Sequence, residues 1–462
     1  MKRRDFLRGA VAGGVVGAVS SSGKAGLQVA KRRGNSVGNG RGIVSFRAIN
    51  GAARYSVLPD KLGGMSLERL REDYRERLFN RYLPFWDKGG YDKQYGGFMC
   101  ELKDDGSIQS DEKDIWYQGR GVWVYSFLYN NFGKDERWLE VARKTRDFMV
   151  KHMYCGDGMW VQSVGRDGKK MEGMTGQGSG DDIYGAMFAS AGLVEYYRAA
   201  GNEEDLELAK TCILKSAERY DEPNYRKNGY RVQGHSFMMV WTLTQLLSYR
   251  PDERLERLVG EHVYNIMNKF WNRRYGISNE ELQHDYSRLP SAETSMVPGH
   301  SVETLWMVMF EALRIKDRRL FNEAKKRFRR LIEMNWDYVF EGFGDAFDVF
   351  GASGIPAGSN FEVKSMWPLC EIMVGCMTVL EYSGDVWAKE WYERVRAFTL
   401  RTMTTDYGVW RQAVDREGKD KKRPTISIYR KGNFHQPRYM MLDMLSLGRM
   451  INNKGKLTPF GT

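Results

Sequence analysis

Apolar residues recur with helical spacing from residue 66 onward. In the stretch 317–337 they lie three and four positions apart, so they share one face of a helix, and lysines and arginines occupy the opposite face. The stretches 116–132 and 235–250 are apolar nearly all round, which is typical of helices enclosed by other helices. The pattern predicts twelve helices, at 66–83, 116–132, 134–152, 182–200, 202–219, 235–250, 252–271, 298–315, 317–337, 364–382, 384–404 and 434–451.

Enclosed and one-sided helices alternate along the chain, and their connections alternate as well. Connections that leave the enclosed helices are short, whereas those that enter them are mostly long and contain hairpin-like segments such as GMWVQSVGRDGKK. Six enclosed and six outer helices predict an all-α fold, an (α/α)6 barrel with short β-hairpin loops at the active-site face. Because long loops beside a rigid scaffold commonly carry functional residues, we expect the site at the N-terminal ends of the enclosed helices.

Positive charge is concentrated near the start of the sequence. The 462-residue chain has a formal net charge of +12, but residues 1–54 contain eleven lysines and arginines and one acid, which leaves +2 for the remaining 408 residues. A nearly neutral folded body argues against nucleic acid as a partner. Five scattered cysteines without CxxC spacing predict neither a disulfide framework nor a zinc site, and the sequence contains no P-loop or HExxH motif.

The basic N-terminal segment resembles a twin-arginine export signal. Arg3 and Arg4 precede a mild apolar run, Gly9–Val19, that is too short to span a bilayer. We therefore predict a signal peptide at 1–22, a Gly/Ser/Arg-rich linker at 23–60 and a catalytic barrel domain at 61–455. Export to the periplasm or another extracytoplasmic compartment, without a membrane anchor, follows from this assignment, and a basic tail without a targeting role is the alternative.

Residues able to carry chemistry lie in the first turns of the enclosed helices. Two of the six histidines, His300 in PGHSVETLW and His435 in NFHQPR, occupy matching places on separate helices. Imidazole is a base with a pKa near working pH, and an arginine keeps its charge beside a forming anion. Two histidines in matching places, with an arginine and a glutamate nearby, therefore indicate a functional rather than a structural role. The other candidates in these turns are Tyr117, Arg120, Asp181, Asp182, His235, Glu303, Trp367, Glu371 and Arg438.

Several of these strings resemble blocks of the N-acylglucosamine 2-epimerase and cellobiose 2-epimerase superfamily. They are WYQGRGVWVYSFLYNNF, DIYGAMFASAGLVEYY, PGHSVETLW, MWPLCE and FHQPR, and they follow the family order over roughly residues 66–450. The resemblance implies an (α/α)6 barrel and a carbohydrate 2-epimerase that acts on a reducing sugar or an N-acylated amino sugar. It implies ring opening and a cis-enediolate formed between two histidines, and it requires no metal or other cofactor.

The resemblance also implies a role for each matching residue. His300 and His435 are the general acid and base, Arg120 contacts the enediolate, and Glu303, one turn beyond His300, orients that imidazole. The substrate-binding positions are Tyr117, Asp182, His235, Met239, Trp367, Glu371 and Arg438.

The sequence departs from the family pattern at three positions. Met239 stands where cellobiose epimerases and mannose isomerases carry a third histidine, and Leu369 stands where a polar residue is common. Arg430 replaces an aromatic residue five positions before the last histidine. These departures argue against cellobiose and leave the sugar open. Arg430 raises the hypothesis of an anionic or strongly polar substituent on the sugar, but a solvated loop arginine is the favoured interpretation.

Other functions remain open at this level. An aldose–ketose isomerase of the same superfamily would use the same histidines, and a catalytically silent barrel would only bind sugar. A glycoside hydrolase on this barrel would need two carboxylates, which Asp181 and Asp182 could supply. Neighbouring helical residues diverge by about 100°, so one helix cap and one wall residue are the other interpretation of that pair. The oligomeric state stays open, with a homodimer among the alternatives.

Overall fold

The computed structural model describes residues 53–169, 183–225, 229–351, 357–421 and 429–460. Within these ranges twelve long helices correspond one to one to the predicted set. They are α1 (Leu67–Arg77), α2 (Ile115–Phe132), α3 (Glu136–Met153), α4 (Ile183–Ala200), α5 (Glu203–Asp221), α6 (Gln233–Leu247), α7 (Glu253–Tyr264), α8 (Pro298–Arg314), α9 (Arg318–Asn335), α10 (Met366–Ser383), α11 (Val386–Thr402) and α12 (His435–Asn452). Short helical turns continue α1 to Gly90 and α7 to Phe270.

The even-numbered helices form the inner ring of the barrel. In α6 every residue except Gln245 is buried, whereas the outer helix α9 buries one face that includes Phe321, Phe328 and Leu331. Consecutive inner helices pack against each other, and α12 contacts α2, which closes the ring. The (α/α)6 barrel prediction is therefore confirmed. Helices that lack a polar face form the inner ring, and helices that have a polar face surround them.

Four outer helices begin at a side-chain cap directly after a short turn. Asp135, Asn202, Asp252 and Asp317 each accept a hydrogen bond from a backbone N–H in the first turn of α3, α5, α7 and α9. Such a cap stabilises a helix start by about 1 kcal/mol. Each short connection joins the end of an inner helix to the start of the next outer helix, so the short connections lie together at one end of the barrel, which we call the closed end.

The long connections lie at the opposite end, the mouth, and contain most of the short strands. Several of these strands lead directly into an inner helix, which confirms the predicted hairpin loops at that face. In the described ranges β1 (Lys61–Leu62) pairs with β2 (Met65–Ser66), β3 (Glu112–Asp114) with β4 (Ser163–Gly165), β5 (Arg231–Val232) with β8 (Glu281–Leu282), β6 (Trp271–Asn272) with β7 (Ile277–Ser278), β10 (Ala346–Asp348) with β9 (Ser295–Met296) and β11 (Gly358–Asn360), and β12 (Lys364–Ser365) with β13 (Ala413–Val414).

Two buried lysines fix the strands that lead into α2 and α10. Lys113 Nζ lies 2.9 Å from Asp92 Oδ2, and Lys364 Nζ lies 3.0 Å from Asp337 Oδ2. Each ammonium also donates to two backbone carbonyls, so all three of its protons are used inside the protein. Breaking such a buried pair costs about 3–5 kcal/mol, so the first turns of α2 and α10 are held firmly at the mouth.

The ends of the described chain pack together at the closed end. Tyr55 N donates to Gly384 O over 2.7 Å, Leu58 N donates to Gly455 O over 2.6 Å, and Leu58 is only 4% exposed. Residues 55–58, which we predicted to be linker, therefore belong to the barrel, because they satisfy carbonyls where inner helices end. The predicted signal peptide at 1–22 lies outside the described residues. None of the helices described is long and apolar enough to cross a bilayer.

Candidate active site

The first turns of the inner helices bring the two predicted catalytic histidines to one place at the mouth. The ring of Trp367 lies with its centroid 5.3 Å from that of His300 and 5.5 Å from that of His435. The side chains of His300 and His435 are 29% and 15% exposed, so both imidazoles can be reached from solvent. Both rings use Nδ1 for contact with a carboxylate, and no described group forms a hydrogen bond with Nε2 of either ring. Nε2 is therefore the nitrogen available for proton exchange.

His435 lies in a largely buried environment that contains two arginines as well as carboxylates. Its Nδ1 lies 2.7 Å from Glu371 Oε1 and 3.3 Å from Arg438 Nη2. Burial lowers the pKa of His435 well below its usual value, and the charges of Arg438 and Arg120 lower it further, against the opposing effect of Glu303. At neutral pH this imidazole is uncharged, and a hydrogen bond from Nδ1 to Glu371 leaves Nε2 with a lone pair.

His300, in contrast, lies among carboxylates. Its Nδ1 lies 3.0 Å from Glu280 Oε1. Burial lowers the pKa of His300, but the carboxylates of Glu280, Glu303 and Asp345 outweigh it and raise the pKa above its usual value. The protonated form of His300 is therefore favoured over that of His435.

Glu280 corrects one of our predictions. We expected Glu303 to orient His300, but Glu303 Oε1 lies 2.5 Å from Arg438 Nη2 and takes that buried charge as its partner. The carboxylate that contacts His300 comes instead from the loop between β7 and β8. Glu280 lies in no recognised motif and is twenty positions from the histidine in sequence, so only the folded structure shows the contact.

Arg438 joins the two buried glutamates behind the histidines. Its Nη2 lies 2.7 Å from Glu371 Oε2, and Trp306 Nε1 donates to the same oxygen over 2.8 Å. Ligand atoms of Glu303, Glu371 and His435 lie within 4.8 Å of one another, which is a spacing that a metal ion could use. Arg438 Nη2 already contacts all three groups, so a cation from the protein holds this cluster together.

Arg120 lies on α2 without a carboxylate partner among the described residues. Its guanidinium carbon is 4.1 Å from the ring centroid of Phe188 and 5.2 Å from that of Phe434, and its Nε is buried without a hydrogen-bond partner. Burial lowers the pKa of Arg120 to about 10, so the group is still charged at neutral pH. A fixed cation without a counterion is suited to an anion that forms during a reaction.

Three predicted substrate-binding residues lie away from accessible surface. The hydroxyl of Tyr117 donates to Lys431 O over 2.5 Å and is buried. The ring of His235 is 2% exposed and packs against three tyrosines, and Met239 is fully buried. Their helices belong to the inner ring, but these three side chains point into the packed interior. There they form packing contacts or structural hydrogen bonds.

Arg430 and the predicted aspartate pair complete the comparison with the sequence. The guanidinium of Arg430 stacks 4.7 Å from the ring centroid of Tyr117 and lies 3.7 Å from Asp114 Oδ2. It is therefore engaged with the protein rather than free in a solvated loop. The aspartates at positions 181 and 182 lie outside the described residues.

Known proteins with a similar sequence or fold include sugar 2-epimerases. Residues 96–431 match the family model described as N-acylglucosamine 2-epimerase (GlcNAc 2-epimerase). The chain is 25% identical over 395 residues to N-acylglucosamine 2-epimerase of Mus musculus, covering 81% of this chain and 91% of that protein. It is 22% identical over 406 residues to cellobiose 2-epimerase of Bacteroides fragilis, covering 82% and 99%. The structure of cellobiose 2-epimerase from Bacillus thermoamylovorans B4167 superposes with a TM-score of 0.69 at 18% identity, covering 82% of this chain and 99% of that one, and shows the shared fold.

Proposed function

The chain belongs to the N-acylglucosamine 2-epimerase family and is a carbohydrate 2-epimerase, and we propose that it passes the C2 proton of a ring-opened sugar between His435 and His300. The observation that carries this proposal is the pair of imidazoles that contact one indole. Each has its Nδ1 on a carboxylate and no hydrogen bond at Nε2 from the described residues, and the two environments favour opposite protonation states.

The chemistry follows from these states. Opening of the sugar ring exposes an aldehyde, which makes the C2 proton weakly acidic. Neutral His435 takes that proton through Nε2, and the negative charge that develops on the enediolate oxygens lies beside the fixed charge of Arg120. Protonated His300 then delivers a proton from its own Nε2 to C2. When the two protons use opposite faces of the planar enediolate, the configuration at C2 is inverted.

The experiment follows the C2 proton signal of candidate sugars in D2O by NMR. We expect the wild-type protein to exchange this proton and to produce the C2 epimer without a new reducing end. The variants His300→Asn and His435→Asn should both lose interconversion, and each should still exchange the C2 proton of one epimer, with opposite preferences. His284→Asn, at a histidine near the surface, is the matched control and should behave as wild type.

Two results would contradict the two-histidine mechanism. Interconversion at near the wild-type rate in either asparagine variant would show that the missing histidine is not needed. A ketose as the main product would replace the epimerase with an aldose–ketose isomerase, in which one base can carry the proton from C2 to C1.

We further propose that the protein is exported by the twin-arginine route. The support is the Arg3–Arg4 pair followed by a short apolar run without charged residues. Replacing both arginines with lysine keeps the charge and should leave the precursor in the cytoplasm. Unchanged export of this double variant would refute the assignment.

A further inference from the structure

The two carboxylate–imidazole pairs differ in how the carboxylate charge is compensated. Glu371 contacts His435, but it also pairs with Arg438 over 2.7 Å and accepts from Trp306 over 2.8 Å. Glu280 forms its ion pair with His300 alone among the residues that the structure describes, and its second oxygen, Oε2, is buried without a hydrogen-bond partner. The charge of Glu280 is therefore directed almost entirely at one imidazole.

The remaining charged groups around the histidines reinforce this difference. Facing His300 are the carboxylates of Glu280, Glu303 and Asp345, which favour its charged form, together with the imidazoles of His235 and His435.

The groups that face His435 include two cations. Arg438 and Arg120 oppose a proton on His435, and the nearby Glu371 already shares its charge with Arg438. When only one of the two imidazoles is protonated, the proton is therefore on His300.

We propose that Glu280 is a positioning residue that keeps His300 in the imidazolium form with its Nε2–H directed to the substrate. This assigns His300 as the proton donor and His435 as the proton acceptor of the resting enzyme, and so fixes which epimer the resting enzyme deprotonates. The inference rests on the proposed function. It predicts that kcat/KM falls at alkaline pH, where His300 loses its proton, and at acidic pH, where His435 gains one.

The test replaces the charge of Glu280 and preserves its shape. Glu280→Gln can still accept a hydrogen bond from Nδ1, but it removes the negative charge 3.0 Å from the ring. We expect the alkaline limb of kcat/KM to move down by about one pH unit, since a neighbouring charge shifts a pKa by about one to three units. Glu281→Gln makes the same chemical change at the next residue and should leave the limb in place. Glu280→Asp keeps the charge and should shift the limb less than Glu280→Gln.

A direct titration of His300 separates this inference from the proposed function. The imidazole NMR signals of 15N-labelled protein are recorded as a function of pH. The signals of His300 are identified as those that disappear in the His300→Asn variant. A lower pKa of His300 in Glu280→Gln, but not in Glu281→Gln, supports the role of Glu280 even if no sugar is epimerised. An unchanged pKa and an unchanged alkaline limb in a folded, active Glu280→Gln protein overturn it.

Discussion

Replacing Arg120 with methionine should make the protein more stable and far less active. The guanidinium is held beside three aromatic rings, and no described carboxylate pairs with it. Methionine has a similar length and no charge, so it can fill the same space among the rings. The same substitution removes the only fixed charge that we assign to the enediolate.

The magnitude of the stability change follows from the pKa of Arg120. Burial lowers that pKa from 12.5 to about 10, which corresponds to about 3 kcal/mol spent in keeping the group charged. Stacking over Phe188 and Phe434 returns about 1–2 kcal/mol. The free energy of unfolding of Arg120→Met should therefore rise by about 1–2 kcal/mol. Loss of a preorganised donor to an oxyanion lowers kcat by about 100- to 1000-fold.

The assay measures kcat and KM of epimerisation together with urea unfolding. Because the charge that Arg120 faces grows only as the enediolate forms, the loss should lie in kcat, with a small change in KM. Arg120→Lys keeps a charge but loses the planar guanidinium and should fall between methionine and wild type. Arg254→Met, at an exposed position of α7, is the matched control and should change the free energy of unfolding by less than about 0.5 kcal/mol.

The reasoning about Arg120 is refuted by any of three results. A fall in kcat of less than tenfold would show that the guanidinium does not stabilise the forming anion. A change confined to KM would assign Arg120 to ground-state binding. A lower free energy of unfolding would show that its charge is compensated in the folded protein.

Three further predictions concern other ionisable side chains. Arg438→Met leaves buried carboxylates without a cation and should lower the free energy of unfolding in urea by about 3–5 kcal/mol, and adding Glu303→Gln should restore part of that loss. Burial lowers the pKa of His235 to about 3 and of His262 to about 4, so the unfolded chain binds more protons than the folded one below pH 6.5. Stability should therefore fall as the pH drops from 6.5 to about 4, and His262→Gln should reduce that slope in urea titrations at several pH values. Arg430→Trp should leave the preference between neutral and acidic sugars unchanged, because its guanidinium is already stacked and ion-paired; a shifted preference in competition assays would favour an anionic substrate instead.

The barrel could be predicted because its signals are local. A stripe of apolar residues at helical spacing gives an outer helix, and an apolar surface all round gives an inner one, whatever the rest of the chain does. Only the length of the first helix was predicted poorly among these elements. We ended it at residue 83, before Pro84, but the chain stays helical to Gly90, because wider turns on both sides accommodate a residue without an N–H.

The site was predictable only where a motif marks it. PGHSVETLW and FHQPR identify His300 and His435, and the structure brings them into contact with one indole. Glu280 could not be found in this way, because it lies in a loop between two short strands, and only the folding of that loop against α8 brings it to His300. Glu303 was assigned to the wrong partner for a related reason. Spacing along a helix shows which residues share a face, but not which charge from another helix reaches that face first.

The first and last segments of the described chain meet at the closed end of the barrel, away from the mouth. Residues 55–58 pack where inner helices finish, so the described part of the barrel begins on the side opposite the mouth. A domain fused directly to the first described residues would consequently start on that side and leave the mouth clear. In a barrel that starts at residue 53 and ends at residue 460, the same proximity means that the two ends could be joined by a short linker and new ends opened in a surface loop, with the order of the helices around the ring preserved.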